Sequence, residues 1–167
     1  MNKKLLIVSA TAGNNLKLSN DIKKITNSFK LDTKILNVEE LNLPLYTPNE
    51  QKKNNLKSMD LITQKFINAN GFIFCAPEYN GSIPPVLTNL FAWISVSTNH
   101  WRDVFINKKA IIATHSGGGG NNLIQSMRIQ LCHLGIVVLP RTIIVNKYSI
   151  FVEESTKEKI QQLYDLF

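Results

Sequence analysis

The sequence predicts an α/β fold in which a five-stranded parallel sheet carries helices on both faces. Short apolar runs alternate along the chain with segments whose apolar residues recur every three or four positions, which is the spacing of one helix face. The run at 71–76 is apolar throughout, as expected for a parallel strand covered on both sides. This alternation implies parallel strands joined by helical crossovers. The length of 167 residues suits a single domain over residues 1–167.

The predicted strands are short apolar runs bounded by turn residues. The first covers residues 3–9 (Lys-Lys-Leu-Leu-Ile-Val-Ser) and runs directly into a polar loop. The next three strands are predicted at 33–38, 71–76 and 109–114. The last strand covers residues 136–139 and 142–145 and is interrupted at Pro140.

The predicted helices are marked by apolar residues three or four positions apart. They cover residues 18–29, 59–69, 87–94, 123–134 and 160–167. Pro84 and Pro85 begin the third helix, where a missing N–H costs nothing. Residues 155–158 (Ser-Thr-Lys-Glu) have the form of a capping box ahead of the last helix. Residues 39–52 are predicted as a connection.

The cysteines and histidines do not indicate a metal site or a disulfide framework. Cys75 and Cys132 each lie in an apolar pattern, and we expect both to be buried as small hydrophobes. The three histidines are scattered along the chain. The first apolar segment is too short for a signal peptide, and no run approaches the ~20 apolar residues of a membrane span. We therefore expect a cytoplasmic protein without a membrane partner.

The formal net charge of +7 comes mostly from scattered lysines. Scattered lysines are typical of a solvated surface, and the alternative interpretation is a positive field that attracts phosphate-bearing ligands. No basic run is interleaved with aromatic residues, so a nucleic-acid partner is not expected.

Three loops follow predicted strands at their carboxyl ends, at residues 9–17, 77–85 and 115–122. In open parallel sheets, ligands bind outside the carboxyl ends of the strands. Each of these loops is rich in small or amide side chains. The sequence therefore predicts one ligand site built from all three.

The first loop reads Ser-Ala-Thr-Ala-Gly-Asn-Asn-Leu-Lys and has the features of an anion site. Backbone N–H groups at the start of a helix carry partial positive charge, which favours a phosphate. Side-chain donors are available at Ser9, Thr11, Asn14 and Asn15, and Lys17 adds a charge. The loop has neither the Gly-Lys-Ser/Thr end of a P-loop nor a Gly-x-Gly-x-x-Gly motif. The alternative is an ordinary strand-to-helix turn.

The second loop offers a planar surface and an amide. Its prolines reduce the entropy cost of ordering it. Tyr79 supplies a flat face and Asn80 an amide, which suit a planar heterocycle with hydrogen-bonding edges. The alternative is a polar loop whose tyrosine covers the core.

The third loop contains four consecutive glycines at 117–120. Such a run is costly in backbone entropy, and it suits either the close approach of bare N–H groups to a ligand or simple flexibility. Ser116 also lies in a sequence close to Gly-x-Ser-x-Gly. Thr114 replaces the first glycine, however, and no histidine follows the last aspartate, Asp165, so we reject a catalytic serine.

Together the loops offer an anion site, a planar stacking site and a backbone-donor site at one edge of the sheet. Flavin mononucleotide (FMN) has the matching parts: a phosphate, a flat ring, and carbonyl oxygens that gain negative charge on reduction. The sequence therefore predicts FMN as the cofactor.

Residues 77–95 (PEYNGSIPPVLTNLFAWIS) resemble the signature of the NADPH-dependent FMN reductases, a flavodoxin-like family that includes quinone, chromate and azo reductases. The matching positions are Pro77, Glu78, Tyr79, Asn80, Ser82, Pro84, Leu87, Asn89 and Trp93. The segment MRIQLCHLGIVVLP also resembles the family, with Arg128 and Gly135 at the expected places. The resemblance implies a flavodoxin-like three-layer sandwich whose five strands have the order 2-1-3-4-5.

The first loop departs from the family pattern Gly-Ser-x-Arg-x-x-Ser-x-Asn. Ser9 keeps the serine, but Thr11 replaces the arginine, Asn14 the second serine and Leu16 the asparagine. Because arginine is a bidentate phosphate partner, its loss is expected to weaken FMN binding.

The resemblance implies a role for each group of site residues. The phosphate is held by Ser9, Thr11, Asn14, Asn15 and Lys17. The flavin ring is lined, mostly through backbone, by Pro77, Glu78, Tyr79 and Asn80. The pyrimidine edge accepts hydrogen bonds from Ser116, Gly117, Gly118 and Gly119. No catalytic side chain is needed, because NADPH or NADH gives hydride to the flavin and the flavin reduces a quinone or similar acceptor.

The resemblance also implies a homodimer or homotetramer. Trp93 and Trp101 serve either such an interface or the core, and Glu78 is a candidate partner for Arg128 across it. Two other functions stay open at this point. One is a flavin-binding protein without reductase turnover, either an electron carrier or a flavin store. The other is a degenerate interaction module that binds no flavin.

Overall fold

The computed structural model describes residues 3–53 and 57–167. Its strands are β1 (Lys3–Ser9), β2 (Leu31–Asn37), β3 (Gly71–Cys75), β4 (Lys109–His115), β5 (Val137–Val138) and β6 (Ile143–Val145). Its α-helices are α1 (Asn14–Thr26), α2 (Pro48–Lys53), α3 (Lys57–Asn68), α4 (Pro85–Ser97), α5 (Asn121–His133) and α6 (Glu153–Asp165). Two short 3-10 helices cover Glu39–Leu41 and Trp101–Val104.

The strands form one parallel sheet in the order β2-β1-β3-β4-β5, which confirms the predicted order. β5 and β6 both pair with β4, one after the other along the same side. Lys109 lies opposite Val137 in β5, and Ala113 lies opposite Ile143 in β6. The break between them contains Pro140, as the sequence predicted.

Helices cover both faces of the sheet. α1 and α6 pack on one face, and α3, α4 and α5 pack on the other. The second face holds five phenylalanines in edge or tilted contact, with ring centroids between 5.3 and 6.0 Å apart: Phe66, Phe72, Phe74, Phe91 and Phe105. Because the layers are tightly packed, the strand ends are fixed relative to one another. The loops that follow the strands therefore start from fixed positions.

The connection predicted over residues 39–52 lies between β2 and α3, and it also contains the Glu39–Leu41 3-10 helix and most of α2. Pro48 begins α2, where its fixed φ suits the first helical position. Glu50 lies in the first turn and lysines in the last turn, which complements the helix dipole. Of the two prolines in this stretch, Pro48 begins a helix and Pro44 lies in an irregular segment.

The capping box predicted at residues 155–158 was wrong, because α6 begins two residues earlier, at Glu153. Glu153 and Glu154 occupy the first turn, where carboxylates are favoured by the helix dipole. Thr156 lies inside the helix and its hydroxyl donates to the Val152 carbonyl at 2.9 Å. The Ser-x-x-Glu pattern thus falls on the helix body.

Two residues of the resemblance motif, Asn89 and Trp93, lie on α4 and have structural roles. On α4, the Asn89 side chain accepts a hydrogen bond from the Tyr46 N–H at 2.8 Å and donates to the Pro44 carbonyl at 3.0 Å. Trp93 is buried, and its indole N–H donates to the same Pro44 carbonyl at 2.7 Å. These two residues hold the segment that leads to α2. Trp93 therefore belongs to the core, while Trp101 is half-buried against Phe105.

The two cysteines differ in exposure, so the prediction that both are buried was half wrong. Cys75 is fully buried, and burial raises the pKa of its thiol from 9.0 to about 12. Cys132 lies on the exposed side of α5. The helical pattern predicted a helix there correctly, but Cys132 lies off its apolar face, which is formed by Leu123, Met127 and Leu131.

We expect iodoacetamide to modify Cys132 and leave Cys75 untouched in the native protein at mildly alkaline pH. The thiolate is the reactive form, and a buried thiol with a raised pKa is neither ionised nor accessible. Mass spectrometry of the labelled peptides measures both sites, and labelling in denaturant is the control in which both react. Equal native labelling of the two cysteines would contradict the buried position of Cys75.

Within residues 3–53 and 57–167, no helix combines the length and the apolar character that a bilayer crossing requires. The same residues contain no cluster of three or more histidine, cysteine, aspartate or glutamate side chains placed to hold a metal ion.

Candidate functional site

A cavity of about 330 Å³ opens at the carboxyl edge of the sheet, where the three loops meet. Its lining comes from all three loops and from Glu39, which lies two residues after the end of β2. The lining residues are Thr11, Gly13, Asn14, Asn15, Glu39, Pro77, Glu78, Tyr79, His115, Ser116 and Gly117. The strands that precede these loops are parallel, so their carboxyl ends share one edge. The cavity is therefore a direct product of the sheet order.

The first and third loops are joined by Asn15. Its side-chain amide donates to the His115 carbonyl, and its side-chain oxygen accepts from the His115 N–H, both at 2.9 Å. Asn15 is buried in the first turn of α1, which follows β1, and β3 lies between β1 and β4, the strand that carries His115. The Asn15 side chain thus bridges across β3 and fixes the distance between the two loops. Asn15 was predicted as a phosphate donor, but in the structure both ends of its amide bond to this backbone.

The second and third loops are joined by Ser116 and Glu78. The Ser116 hydroxyl accepts from the Glu78 N–H at 2.9 Å and lies 2.7 Å from the Thr114 hydroxyl. The Glu78 carboxylate accepts from the Leu123 N–H at 3.1 Å, in the first turn of α5. A carboxylate at a helix N-terminus is stabilised by the helix dipole. Glu78 therefore caps α5 from a different loop.

Arg128 has partners of its own. Its guanidinium donates to the backbone carbonyls of Leu139 at 3.0 Å and Pro140 at 3.3 Å. It thereby fixes the break between β5 and β6. Within this chain, Glu78 and Arg128 serve separate purposes.

The second loop is a tight turn. Tyr79 and Ser82 exchange backbone hydrogen bonds at 3.1 and 3.0 Å, and the two residues between them, Asn80 and Gly81, have φ values of 50° and 69°. Two positive φ values in succession are the mark of a type I′ turn, for which Asn-Gly is the preferred pair. The turn presents Tyr79 at the cavity with 49% of its surface exposed. Its ring therefore does not cover the core, which was the alternative.

Several backbone N–H groups near the cavity form no hydrogen bond within the described part of the chain. In the first loop these belong to Thr11, Gly13 and Asn14, and in the third loop to Gly117, Gly118 and Gly119. A Cβ added at Gly117 or Gly118 would meet no atom within 4 Å. Unpaired donors beside open space can bind oxygen atoms of a ligand. The cavity thus offers such donors on two sides.

Five of the predicted site residues lie outside the cavity lining. Ser9 is buried beneath the first loop, where its hydroxyl donates to the Thr11 carbonyl at 2.9 Å. Lys17 and Asn80 are exposed. Gly118 and Gly119 follow Gly117 in the third loop, and Asn15 lines the cavity with its amide already bonded.

Sequence reasoning did not name Gly13, Glu39 or His115 as site residues, although all three line the cavity. The Glu39 carboxylate accepts a hydrogen bond from the Ala12 N–H, with 2.7 Å between the two atoms. β2 ends at the same edge of the sheet as the other strands, so the carboxyl-end rule also applied to the loop after it. The sequence prediction named only three loops at this edge, and it placed Glu39 in the connection over residues 39–52.

A parallel sheet of this order with a cavity at its carboxyl edge defines a flavodoxin-like protein. The family model described as NADPH-dependent FMN reductase matches residues 3–149. The chain belongs to the NADPH-dependent FMN reductase family, which confirms the resemblance.

Two curated relatives carry related descriptions. An NADPH azoreductase from Bacillus sp. (strain OY1-2) is 29% identical over 126 residues, which are 74% of this chain and 66% of the relative. An NADPH:quinone oxidoreductase from Arabidopsis thaliana is 37% identical over 62 residues, which are 37% of this chain and 30% of the relative. The chain thus spans less than two thirds of the length of either relative.

Solved structures share the fold at lower sequence identity. The flavoenzyme NAD(P)H:(acceptor) oxidoreductase FerB from Paracoccus denitrificans has a TM-score of 0.80 and 18% identity, with coverage of 98% of this chain and 96% of its own. A flavodoxin from the domain Archaea has a TM-score of 0.65 and 11% identity, with 98% coverage of both chains. At these identities the likeness shows the flavodoxin-like fold.

Proposed function

We propose that this protein is an FMN-dependent NAD(P)H oxidoreductase that passes electrons from NADPH or NADH to a quinone or similar small acceptor. The observation that carries the proposal is the three-loop cavity with its unpaired backbone donors, found in a chain of the FMN reductase family. When bound, FMN supplies a ring that accepts hydride from the nicotinamide and delivers electrons onward.

The first loop is proposed to hold the flavin phosphate. The N–H groups of Thr11, Gly13 and Asn14 precede or begin α1, so they combine free donors with the positive end of a helix dipole. The side chains of Thr11 and Asn14 add donors at the cavity wall. Asn15 and Ser9 support this loop from below through their bonds to backbone. Lys17 contributes longer-range attraction from the exposed face of α1.

The second and third loops are proposed to hold the ring. Pro77 and the backbone of Glu78 form a firm wall, because the Glu78 N–H is fixed to Ser116 and its carboxylate to α5. Tyr79 and Asn80 lie on the tight turn that borders this wall. The free N–H groups of Gly117, Gly118 and Gly119 are proposed to donate hydrogen bonds to the edge of the ring. This edge becomes more negative on reduction, and preorganised donors stabilise such charge.

The direct test is spectroscopic. The purified protein is titrated with FMN while flavin fluorescence is followed at equilibrium, and NADPH consumption is then measured with and without a quinone. We expect bound flavin and quinone-dependent consumption of NADPH. Flavin binding without consumption would favour a carrier or store, and absence of both would favour the interaction module.

Leucine at Gly117 or Gly118 is expected to weaken FMN binding by at least about tenfold, because a side chain there competes with the ring edge for space and donors. Both backbones accept the change, since neither glycine has a positive φ and the added Cβ meets no atom within 4 Å. Flavin titration measures the affinity, and circular dichroism checks the fold. Gln125→Leu, at an exposed position on α5, is the matched control. Unchanged affinity in both glycine variants would contradict the proposed ring site.

The proposed assembly is a homodimer or homotetramer with a small-molecule acceptor as the other partner. Support comes from exposed apolar side chains near the carboxyl-terminal half of the chain, namely Ile129, Tyr148, Ile150 and Val152. Apolar residues of this kind are enriched where subunits meet. The cytoplasm stays the location predicted from the sequence.

A further inference from the structure

A carboxylate of the protein already accepts a hydrogen bond from one of the N–H groups of the first loop. Glu39 begins the 3-10 helix after β2, and its Oε2 atom lies 2.7 Å from the Ala12 nitrogen. Ala12 lies between Thr11 and Gly13, whose N–H groups are unpaired and whose residues line the cavity. The bond is short and charge-assisted, and because Glu39 is exposed, solvent screens part of its charge. The loop proposed for the phosphate therefore carries a protein anion at its centre.

The cavity does not compensate this charge with a basic side chain. Among the described residues that line it, two are glutamates, Glu39 and Glu78, and none is lysine or arginine. Glu78 is balanced by the N-terminal turn of α5, to which it binds through the Leu123 N–H. Glu39 forms no ion pair with a basic side chain among the described residues. The chain is basic overall at +7, yet the walls of its cavity are acidic.

We propose that Glu39 is a specificity-determining residue that lowers the affinity of the site for phosphate-bearing flavins, so that the phosphate of FMN adds little to binding. This inference rests on the proposed flavin site. The phosphate must either displace the Glu39 carboxylate from the Ala12 N–H or bind beside it, and in both cases two like charges lie close together. Thr11 stands where the family pattern has arginine, so no guanidinium offsets the repulsion. FMN then exchanges readily with free flavin.

Glu39→Gln removes the charge and keeps the shape. The glutamine side-chain oxygen still accepts from the Ala12 N–H, so the brace between the 3-10 helix and the first loop is retained. We expect FMN to bind about tenfold more tightly to this variant, from the Coulomb energy of one charge against a phosphate at a solvated site. Riboflavin has the same ring without the phosphate, and we expect its affinity to stay within about twofold.

Glu40→Gln is the matched control. Glu40 is the next residue of the same 3-10 helix, is exposed and lies outside the cavity lining. Its substitution changes the net charge by the same amount, so it reports the effect of the overall field. We expect both flavins to bind Glu40→Gln within about twofold of the unaltered protein, because exposed charges at a distance are screened by salt.

The dissociation constants of FMN and riboflavin are measured for the three proteins by quenching of flavin fluorescence. A gain in FMN affinity confined to Glu39→Gln supports the proposal. Equal gains for both flavins, or no gain for FMN, overturn it and show Glu39 to be a brace only. If the unaltered protein binds flavin and consumes NADPH while the ratio of affinities is unchanged, the proposed function stands and only the role of Glu39 fails. If none of the three proteins binds either flavin, both proposals fail.

Discussion

Asn15→Leu is expected to lower the free energy of unfolding by about 3 kcal/mol and to abolish measurable flavin binding at micromolar protein. The substitution removes two hydrogen bonds at once, and it leaves the N–H and the carbonyl of His115 without partners in a partly buried place. Leucine has a similar volume, so no large cavity adds to the cost. The first and third loops are then no longer held at a fixed separation. Both the proposed phosphate site and the proposed ring site depend on that separation.

Chemical denaturation measures the stability of Asn15→Leu, and flavin titration measures its binding. Asn20→Leu is the matched control, because Asn20 also donates through its amide, to the Leu16 carbonyl at 2.8 Å, but is exposed on α1. We expect the control to lose less than about 0.5 kcal/mol, as is usual for surface substitutions. Equal stability losses in the two variants would mean that the link between Asn15 and His115 carries no special weight.

Gly71→Val is expected to lower the free energy of unfolding by about 3 kcal/mol, since overpacking in a core forces backbone shifts. Gly71 begins β3 and lies opposite Lys109 in β4. A Cβ built there would lie 2.8 Å from the Lys109 carbonyl oxygen and would also meet the ring of Phe167. The ring is at the end of a movable side chain, but the carbonyl belongs to the central sheet.

A double-mutant cycle separates these two contacts. Phe167→Ala removes the ring and leaves the Lys109 carbonyl in place. We therefore expect the double variant to recover only part of the loss caused by Gly71→Val, as measured by denaturant unfolding of all four proteins. Full recovery would show that the carbonyl contact is unimportant and that only the ring was displaced.

The strands of the sheet were predictable because the pattern that marks a strand is local in the sequence. β1 has the predicted bounds, and β3 and β4 differ from prediction by one residue at their carboxyl ends. Apolar runs bounded by turns need no tertiary information to be recognised. The helix ends were less predictable: α1 ends at Thr26, and Phe29, which was assigned to its apolar face, lies beyond it with its ring 5.8 Å from that of Tyr164. Tertiary packing can continue an apolar spacing after the helix has stopped.

The position of the site was predictable, but the partners of its side chains were not. Parallel strands bring their following loops to one edge, so three loops could be assigned to one cavity from the sequence. The bonds inside it join residues that are distant along the chain: Asn15 and His115 are 100 positions apart, and Glu39 and Ala12 are 27 apart. Nothing in the local sequence distinguishes an asparagine that binds a ligand from one that binds a neighbouring loop.

The bonds that join the three loops each use a main-chain atom on at least one side. Asn15 binds the backbone of His115, Ser116 accepts from the backbone of Glu78, and the Glu78 carboxylate binds the backbone of Leu123. Among the residues at the cavity wall, Thr11, Asn14 and Tyr79 take no part in these bonds. Side chains at these three positions can therefore change without breaking the bonds that join the loops, so that the ligand preference of the cavity and the stability of its frame are separable.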